Sequence, residues 1–477
     1  MTLADSVAAG GGEGLRAAAS LSPDGVIAVV EDSGLRGRGG AGFPTARKWQ
    51  TVRANEVPDA PASVVVNAAE GEPGSFKDRA ILRADPYRVL EGALIAARAV
   101  GADSVTVATK HTFTAEIQRL RQAIGDVREA GWADDVTIDL VEGPSEYLFG
   151  EETALLEVID GRYPLPRIAP PYRRGIVEVA EHPDHPHHES DSAAGVTLAS
   201  ATHETDAPPT LAGNVETFAN IPAILAQGAR WFREVGTDLS PGTIVCTVTG
   251  ATRRHGVGEF PLGTPVRAVI EALGGGPREG REIVAVMSGV ANPLLPATLL
   301  DTPASYEALS AAGSGLGAAG FIVYDDADDL VAVAAGVSRF LAVESCGQCA
   351  RCKQDGLALA ELLASVAASQ ASERDLATIN TRLATVADGA RCNLASQQQA
   401  VIGSIMSLFP DSLRAHLHHD SPGVAPEPIA MIVDIVDGHA ELDVTQTTKQ
   451  PDWTHDAVDS GQWPADRLDD PRRHEQL

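Results

Sequence analysis

The chain has 477 residues, 44% of them hydrophobic, and a formal net charge of −28. A polyanion repels phosphate backbones, which argues against nucleic acid as a partner, and no apolar run approaches the roughly 20 residues that span a bilayer. One core rarely grows this large, so two to four domains are expected, in the cytoplasm because the first twenty residues carry no basic and then apolar leader.

Residues 1–33 are rich in Ala and Gly and read as a loose arm with a short helix. Gly34, Gly37, Gly39, Gly40 and Gly42 follow, too dense for a helix interior, with Gly71 further on. SVVVN at 63–67 reads as a buried parallel strand, and Asp85-Pro86 as the cap and first turn of a helix running to about Val100. Strand (SVTVAT), helix (TAEIQRLRQAIGDVREAG), strand (VTIDLVEG) and helix (GEETALLEVIDG) then alternate, which points to a mainly parallel α/β sheet. Residues 173–212 break the pattern with Pro, Ser and His and read as a long loop. It contains His182, His185, His187 and His188, more naturally a solvated polar run than a metal site.

A helix is expected from Asn214, then a small α+β unit of the ubiquitin-like kind: TIVCTVTG, a helix opened by Pro265, REIVAVMSGV and GFIVYDD. From about Asp328 the pattern is helical. Leu376, Ile379, Leu383 and Val386 recur at helical spacing, Ser372 with Asp375 signals a cap, and four helices are expected up to about Leu417. A short strand pair, IAMIVDIVDGHAELDV, and an acidic tail close the chain.

Five cysteines are too few for a disulfide scaffold. Cys246 lies in a segment that reads as a buried strand, which makes it a packing residue. Cys346, Cys349 and Cys352 stand at C-x2-C-x2-C spacing, with Cys392 40 positions after Cys352. Three closely spaced thiolates and a distant fourth suit a four-iron four-sulfur cluster; zinc and structural thiols are the alternatives. Arg351 and Lys353 place positive charge beside that site, which would raise its potential, unless they are simply solvated. Backbone N–H groups approach a phosphate closely only past glycine, and GLRGRGGAG supplies them, with Arg36, Arg38 and Lys48 nearby. Asn67, Glu70 and Glu72 follow a strand end, where open α/β sheets bind ligands. Gly150, Glu151 and Glu152 stand at a helix start, where helix capping is the competing reading of the carboxylates.

GLRGRGGAGFPT, EGEPGSFKDR, GEETAL, GNVET and ESCGQCARC, in this order over about residues 33–418, resemble the NADH- and flavin-binding subunit of respiratory complex I and its relatives in NAD-linked hydrogenases and formate dehydrogenases. The resemblance implies an α/β fold in three parts: a Rossmann-like FMN and NADH domain (34–238, after the 1–33 arm and including the 173–212 insertion), a β-grasp-like domain (239–327) and a helical 4Fe-4S domain (328–420), with a C-terminal extension (421–477). It implies hydride transfer from NADH to FMN, then single electrons to the cluster. They would pass on to a partner such as a 2Fe-2S subunit, a ferredoxin, a hydrogenase or a formate dehydrogenase. No catalytic acid or base is implied, because the flavin carries the chemistry. The cofactor-binding positions it implies are Gly37, Arg38, Gly39, Gly40, Phe43, Lys48, Asn67, Glu70, Glu72, Tyr147, Gly150, Glu151, Glu152 and Asn214, and the cluster ligands are Cys346, Cys349, Cys352 and Cys392. The chain departs from the family pattern at Ala69, where a carboxylate is usual, at Gly213, where an asparagine is usual, and at Thr51, where an aromatic is usual. Those departures motivate the alternative of a redox-inactive or sensory scaffold.

Overall fold

The computed structural model describes residues 1–56, 60–176 and 208–451. The histidine run at 182–188 and the acidic stretch after residue 451 lie outside the described residues.

The N-terminal stretch forms three helices rather than a loose arm: α1 (Leu3–Ala8), α2 (Glu13–Ala19) and α3 (Pro23–Ser33). Thr2 and Asp5 make a capping box, and Ser22 caps α3 ahead of Pro23. Small residues pack here rather than loosen the chain. Ala18, Val26 and Val30 are fully buried in the main core. Gly14 lies so close to Pro222 that a Cβ would come within 2.6 Å of its backbone.

After α4 (Thr45–Ala54) come β1 (Ala62–Ala68), α5 (Lys77–Ala84), α6 (Pro86–Val100), β2 (Ala102–Lys110), α7 (Thr114–Glu129), β3 (Thr137–Gly143) and α8 (Glu152–Ile159). Val64, Val65 and Val66 are all buried, as expected for a parallel strand covered on both faces. Asp85 accepts a hydrogen bond from the backbone of Arg88 and so caps α6 before Pro86.

A fourth strand, β4 (Thr210–Asn214), begins inside the stretch expected to be loop, and α9 (Val215–Gln227) and the short α10 (Ala229–Phe232) follow it. It runs parallel to β1, with Val65 opposite Ala212 and Asn67 opposite Asn214. The sheet order is β3-β2-β1-β4. The chain therefore winds from β1 towards β3 on one side and returns as β4 on the other. The point where winding reverses lies between β1 and β4, where sheets of this kind open a crevice at the carboxyl ends of their strands.

The second unit comprises β5 (Thr243–Gly250), β6 (Gly256–Pro261), α11 (Val266–Gly274), β7 (Ile283–Ser288), β8 (Leu295–Pro296), α12 (Tyr306–Ala311) and β9 (Gly320–Asp325). Its mixed sheet has the order β6-β5-β9-β7-β8, with only β5 and β9 parallel. Ile244, Cys246, Val248, Val269 and Phe321 fill its core. Cys246 is thus a packing residue, and burial pushes its thiol far above the ordinary range.

The third unit holds α13 (Leu330–Glu344), α14 (Ala350–Ala367), α15 (Glu373–Thr385) and α16 (Leu394–Leu408), with a short fifth helix, α17 (Pro410–Leu417). Ser372 and Asp375 form the expected capping box, and Ile379, Leu383 and Val386 are buried.

The segment beyond α17 runs back over all three units. Glu427 N–H donates to Ala332 O on α13 (2.9 Å). A hairpin of β10 (Ile432–Val436) and β11 (His439–Leu442) then crosses the first unit, where Arg79 donates to the carbonyls of Ile432 and Val433 and Arg83 pairs with Asp434 (2.8 Å). His255 of the second unit donates its backbone N–H to Gly438 O and accepts from Ala440 N–H at Nδ1. Lys449 closes the strap on Glu344 of α13 at 2.8 Å.

Candidate functional site

The glycine loop is closed at its base by Gly37 N–H to Phe43 O (2.8 Å) and Thr45 N–H to Leu35 O (3.0 Å). It lies over the crevice. A Cβ on Gly39 would come within 3.2 Å of Asn214, at the end of β4, and one on Gly42 would come within 2.6 Å of the Tyr306 ring, at a φ of +62°. Glycine is required at Gly42 on both counts. Phe43 stands about half exposed at the rim, open to an aromatic partner.

Arg38 behaves differently from the expectation of a phosphate ligand. It is completely buried, and its guanidinium donates to the carbonyls of Thr243, Arg36 and Pro241 while its backbone N–H donates to Thr217. Three carbonyls hold the charge, so Arg38 ties the loop to the second unit instead of presenting a cation to the crevice. The cation nearer the mouth is Lys48, in α4, which is ion-paired with Glu152.

At the end of β1, Asn67 donates to Gly150 O (2.9 Å) and accepts from Ala69 N–H. Glu70 is buried and accepts from Ser75 Oγ (2.7 Å) and from the backbone N–H groups of Asp78 and Arg79, so it caps α5. Burial raises its pKa. Glu72 points the other way, accepting from Val290 N–H and Tyr147 OH, both at 2.6 Å. Desolvation pushes its carboxyl up to about 7, against the pull of those two donors. Glu151 accepts from Thr153 and Ala154 N–H and is the N-cap of α8, as the capping reading had it.

A buried charged set beneath the crevice was not picked out from the sequence. Lys77, 1% exposed, donates to Asp78 (2.7 Å) and Asn214 (3.0 Å) and pairs with Glu216 (2.9 Å). Burial opposes its charge, but the carboxylates of Asp78, Glu216 and Glu70 hold its pKa above the ordinary value. Asn214 caps α9 and also donates to Asp78 (2.6 Å). The set locks the start of α5 to the start of α9. Its signal was available in GSFKDR and GNVET, each of which puts charge within two residues of a strand or turn end.

The four cysteines of the spaced set line one pocket with Leu148, Pro166, Ser345, Ala390, Arg391 and Leu394. Cys346 follows α13, Cys349 is the N-cap of α14, Cys352 lies in its first turn, and Cys392 precedes α16. Gly347, at a φ of +78°, lets the chain turn between the first two. Burial pushes the thiols of Cys352 and Cys392 up to about 11 and about 12. Four thiolates are therefore unfavourable here unless a bound cationic centre offsets them. Among the described residues, no group of three His, Cys, Asp or Glu side chains is drawn together as for a single metal ion.

A family model of the Nuo51 FMN-binding domain matches residues 30–223, and one of the NADH-ubiquinone oxidoreductase-F iron-sulfur binding region matches residues 332–416. The NADH-quinone oxidoreductase F 2 subunit of Rhizobium meliloti (strain 1021) is 36% identical over 357 residues, 73% of this chain and 78% of that protein. The chain belongs to the family of NADH-quinone oxidoreductase F subunits. The family's member in Streptomyces coelicolor is 33% identical over 85% of this chain and 86% of its own length. The NADP-reducing hydrogenase subunit HndC of Solidesulfovibrio fructosivorans is 34% identical over 87% and 80%. Among solved structures, an NAD+-reducing [NiFe]-hydrogenase in the H2-reduced state superposes with a TM-score of 0.71 at 32% identity. That match covers 83% of this chain and 63% of the hydrogenase chain. The first family match contains the β1/β4 crevice, and the second contains all four cysteines of the pocket. No helix among the described residues is long and apolar enough to cross a membrane.

Proposed function

We propose that the chain is an electron-input subunit that oxidises NADH with bound FMN and passes electrons singly, through a 4Fe-4S cluster, to a partner redox protein. One observation carries this reading most directly: the turn Tyr147–Gly150 is a wall of both sites. Gly150 O and Tyr147 OH meet Asn67 and Glu72 on the crevice side. Leu148 lines the cysteine pocket, and Tyr147 OH also meets Gln397 of α16. Tyr147 further donates its N–H to Glu344 of α13 and packs edge-on against Phe340 at 5.3 Å. One short turn thus borders both sites.

The flavin supplies hydride acceptance and single-electron release. The protein's part is position and electrostatics. The N–H groups of Gly39 and Gly40 and the helix start at Asn214 favour an anionic phosphate, while those of Gly37 and Arg38 hold the loop in shape. Phe43 offers a face to a planar ring, and Lys48 with Glu152 sits at the mouth. Glu72 and Tyr147 border the nicotinamide side without acting as acid or base. Cys346, Cys349, Cys352 and Cys392 hold the cluster. Gly213, where an asparagine is usual, has a packing reason: a Cβ there would come within 2.7 Å of the Phe218 ring. The partner is a redox protein that takes electrons from the cluster, such as a 2Fe-2S subunit, a ferredoxin, a hydrogenase or a formate dehydrogenase.

The visible spectrum of anaerobically purified protein tests the reading. Yellow flavin bands and a broad brown shoulder, both bleached by NADH, are expected. A brown shoulder that ignores NADH after flavin is supplied would leave a cluster-bearing scaffold and overturn the dehydrogenase.

A further inference from the structure

Two basic residues flank Cys352, and their surroundings differ sharply. Arg351 is 55% exposed and pairs with Asp388 at 3.8 Å, so water and salt screen its charge. Lys353 is 1% exposed. Its Nζ donates to the carbonyls of Ala342 (3.2 Å) and Ser345 (2.9 Å), at the end of α13. Carbonyls there have no helical N–H to accept from, and the helix dipole is negative. The helix end therefore holds a cation in the protein interior, beside the cysteine pocket.

Ser345, whose carbonyl Lys353 holds, lines the cysteine pocket and precedes Cys346, and Lys353 itself follows Cys352 in the first turn of α14, so the buried charge stands next to these two of the four cysteines. The same two sulfurs have side-chain polar partners: Ser345 Oγ lies 3.3 Å from Cys352 Sγ, and Gln348 Nε2 lies 3.6 Å from Cys346 Sγ. At Cys392 the charged side chain in the pocket wall is Arg391, which is exposed and donates to Gln348 Oε1 at 3.0 Å. The buried charge is therefore on the Cys346–Cys352 edge, while the charges of Arg351 and Arg391 stand in water.

We propose that Lys353 sets the reduction potential of the cluster, by holding a buried positive charge against the Cys346–Cys352 edge. This rests on the assignment of the four cysteines as ligands. An electron added to a centre in a low-dielectric pocket is stabilised by a fixed cation nearby, and hydrogen bonds to the sulfurs act in the same direction. Lys353 is a positioning residue in this account, since it touches helix carbonyls rather than the reacting atoms.

The test is an anaerobic redox titration of the full chain, read by the electron paramagnetic resonance of the reduced cluster, so that NADH turnover is not involved. Lys353→Gln removes the charge and keeps a donor for the carbonyls, and Lys353→Met removes both. Either variant that assembles its cluster should show a midpoint lower by about 59 mV or more, a tenfold change in a one-electron equilibrium. Lys353→Arg should stay close to wild type, and so should Arg351→Met, whose charge is screened. An unchanged midpoint in a charge-removing variant overturns the proposal, as does an equal fall in Arg351→Met. Absence of a four-iron signal from wild-type protein would strike the ligand assignment itself.

Discussion

Glu72→Gln separates what one carboxyl does for stability from what it does for nucleotide binding. Desolvation lifts the folded-state pKa of Glu72 to about 7, from 4.5 for the free side chain. The folded protein therefore binds this proton more tightly than the unfolded chain does. The resulting stabilisation is complete below pH 4.5, declines as pH rises, and is gone above about 7. At about 1.4 kcal/mol per pH unit the whole effect amounts to about 3 kcal/mol, somewhat less because part of the side chain meets solvent. Glutamine has no proton to lose, and its amide oxygen can still accept from Val290. The stability of the variant relative to wild type should thus rise by about 2 to 3 kcal/mol between pH 4.5 and a pH above 7. Urea unfolding across that range, followed by the fluorescence of Trp49, buried in the same unit, measures it. Parallel pH profiles for the two proteins would refute the argument. In steady-state assays the variant should raise the KM for NADH, and an unchanged KM would remove Glu72 from the nucleotide site.

Three further substitutions probe the rest of the site. Cys392→Ser should lose the brown shoulder and most bound iron while keeping flavin that NADH still bleaches; full iron content by chemical assay would count against the four-cysteine pocket. Gly42→Ala drives a methyl group towards the Tyr306 ring at a positive φ, and should cost about 1 to 3 kcal/mol together with flavin retention; calorimetry and a flavin count after gel filtration check it. Lys77→Met strands the carboxylates of Asp78 and Glu216 in the interior and should cost about 3 to 5 kcal/mol, so a loss below about 1 kcal/mol in denaturant unfolding would contradict the buried set.

Long periodic segments and spaced motifs were the legible part of this chain. SVVVN, the helix after Asp85-Pro86 and the helices beyond Asp328 carry their own pattern, and C-x2-C-x2-C with a distant cysteine identified a pocket that folding closes. The first thirty residues misled because alanine and glycine signal both looseness and close helix packing, and only Pro222 across the interface decides which. β4 was missed because TLAGN is short and its partner, β1, lies more than 140 positions earlier. Charges were the hardest to read. Arg38 looks like a phosphate ligand until the three carbonyls around it are seen, and Lys77, inside GSFKDR, is not legible as a buried charge because Asn214 and Glu216 come to it from other elements. Glu70 and Glu151 show that a carboxylate in a motif also has helices to start.

The strap formed by residues 427–449 has a consequence for how the protein is made. It follows all three units in chain order yet touches each of them. Domains fold as units while the chain emerges from the ribosome, N-terminal first. The crevice and the cysteine pocket are therefore complete in sequence before the segment that fastens them together has been synthesised. The cysteine pocket takes Leu148 and Pro166 from the first unit and its cysteines from the third, so those two units must already be together when iron is loaded, and the fastening comes last.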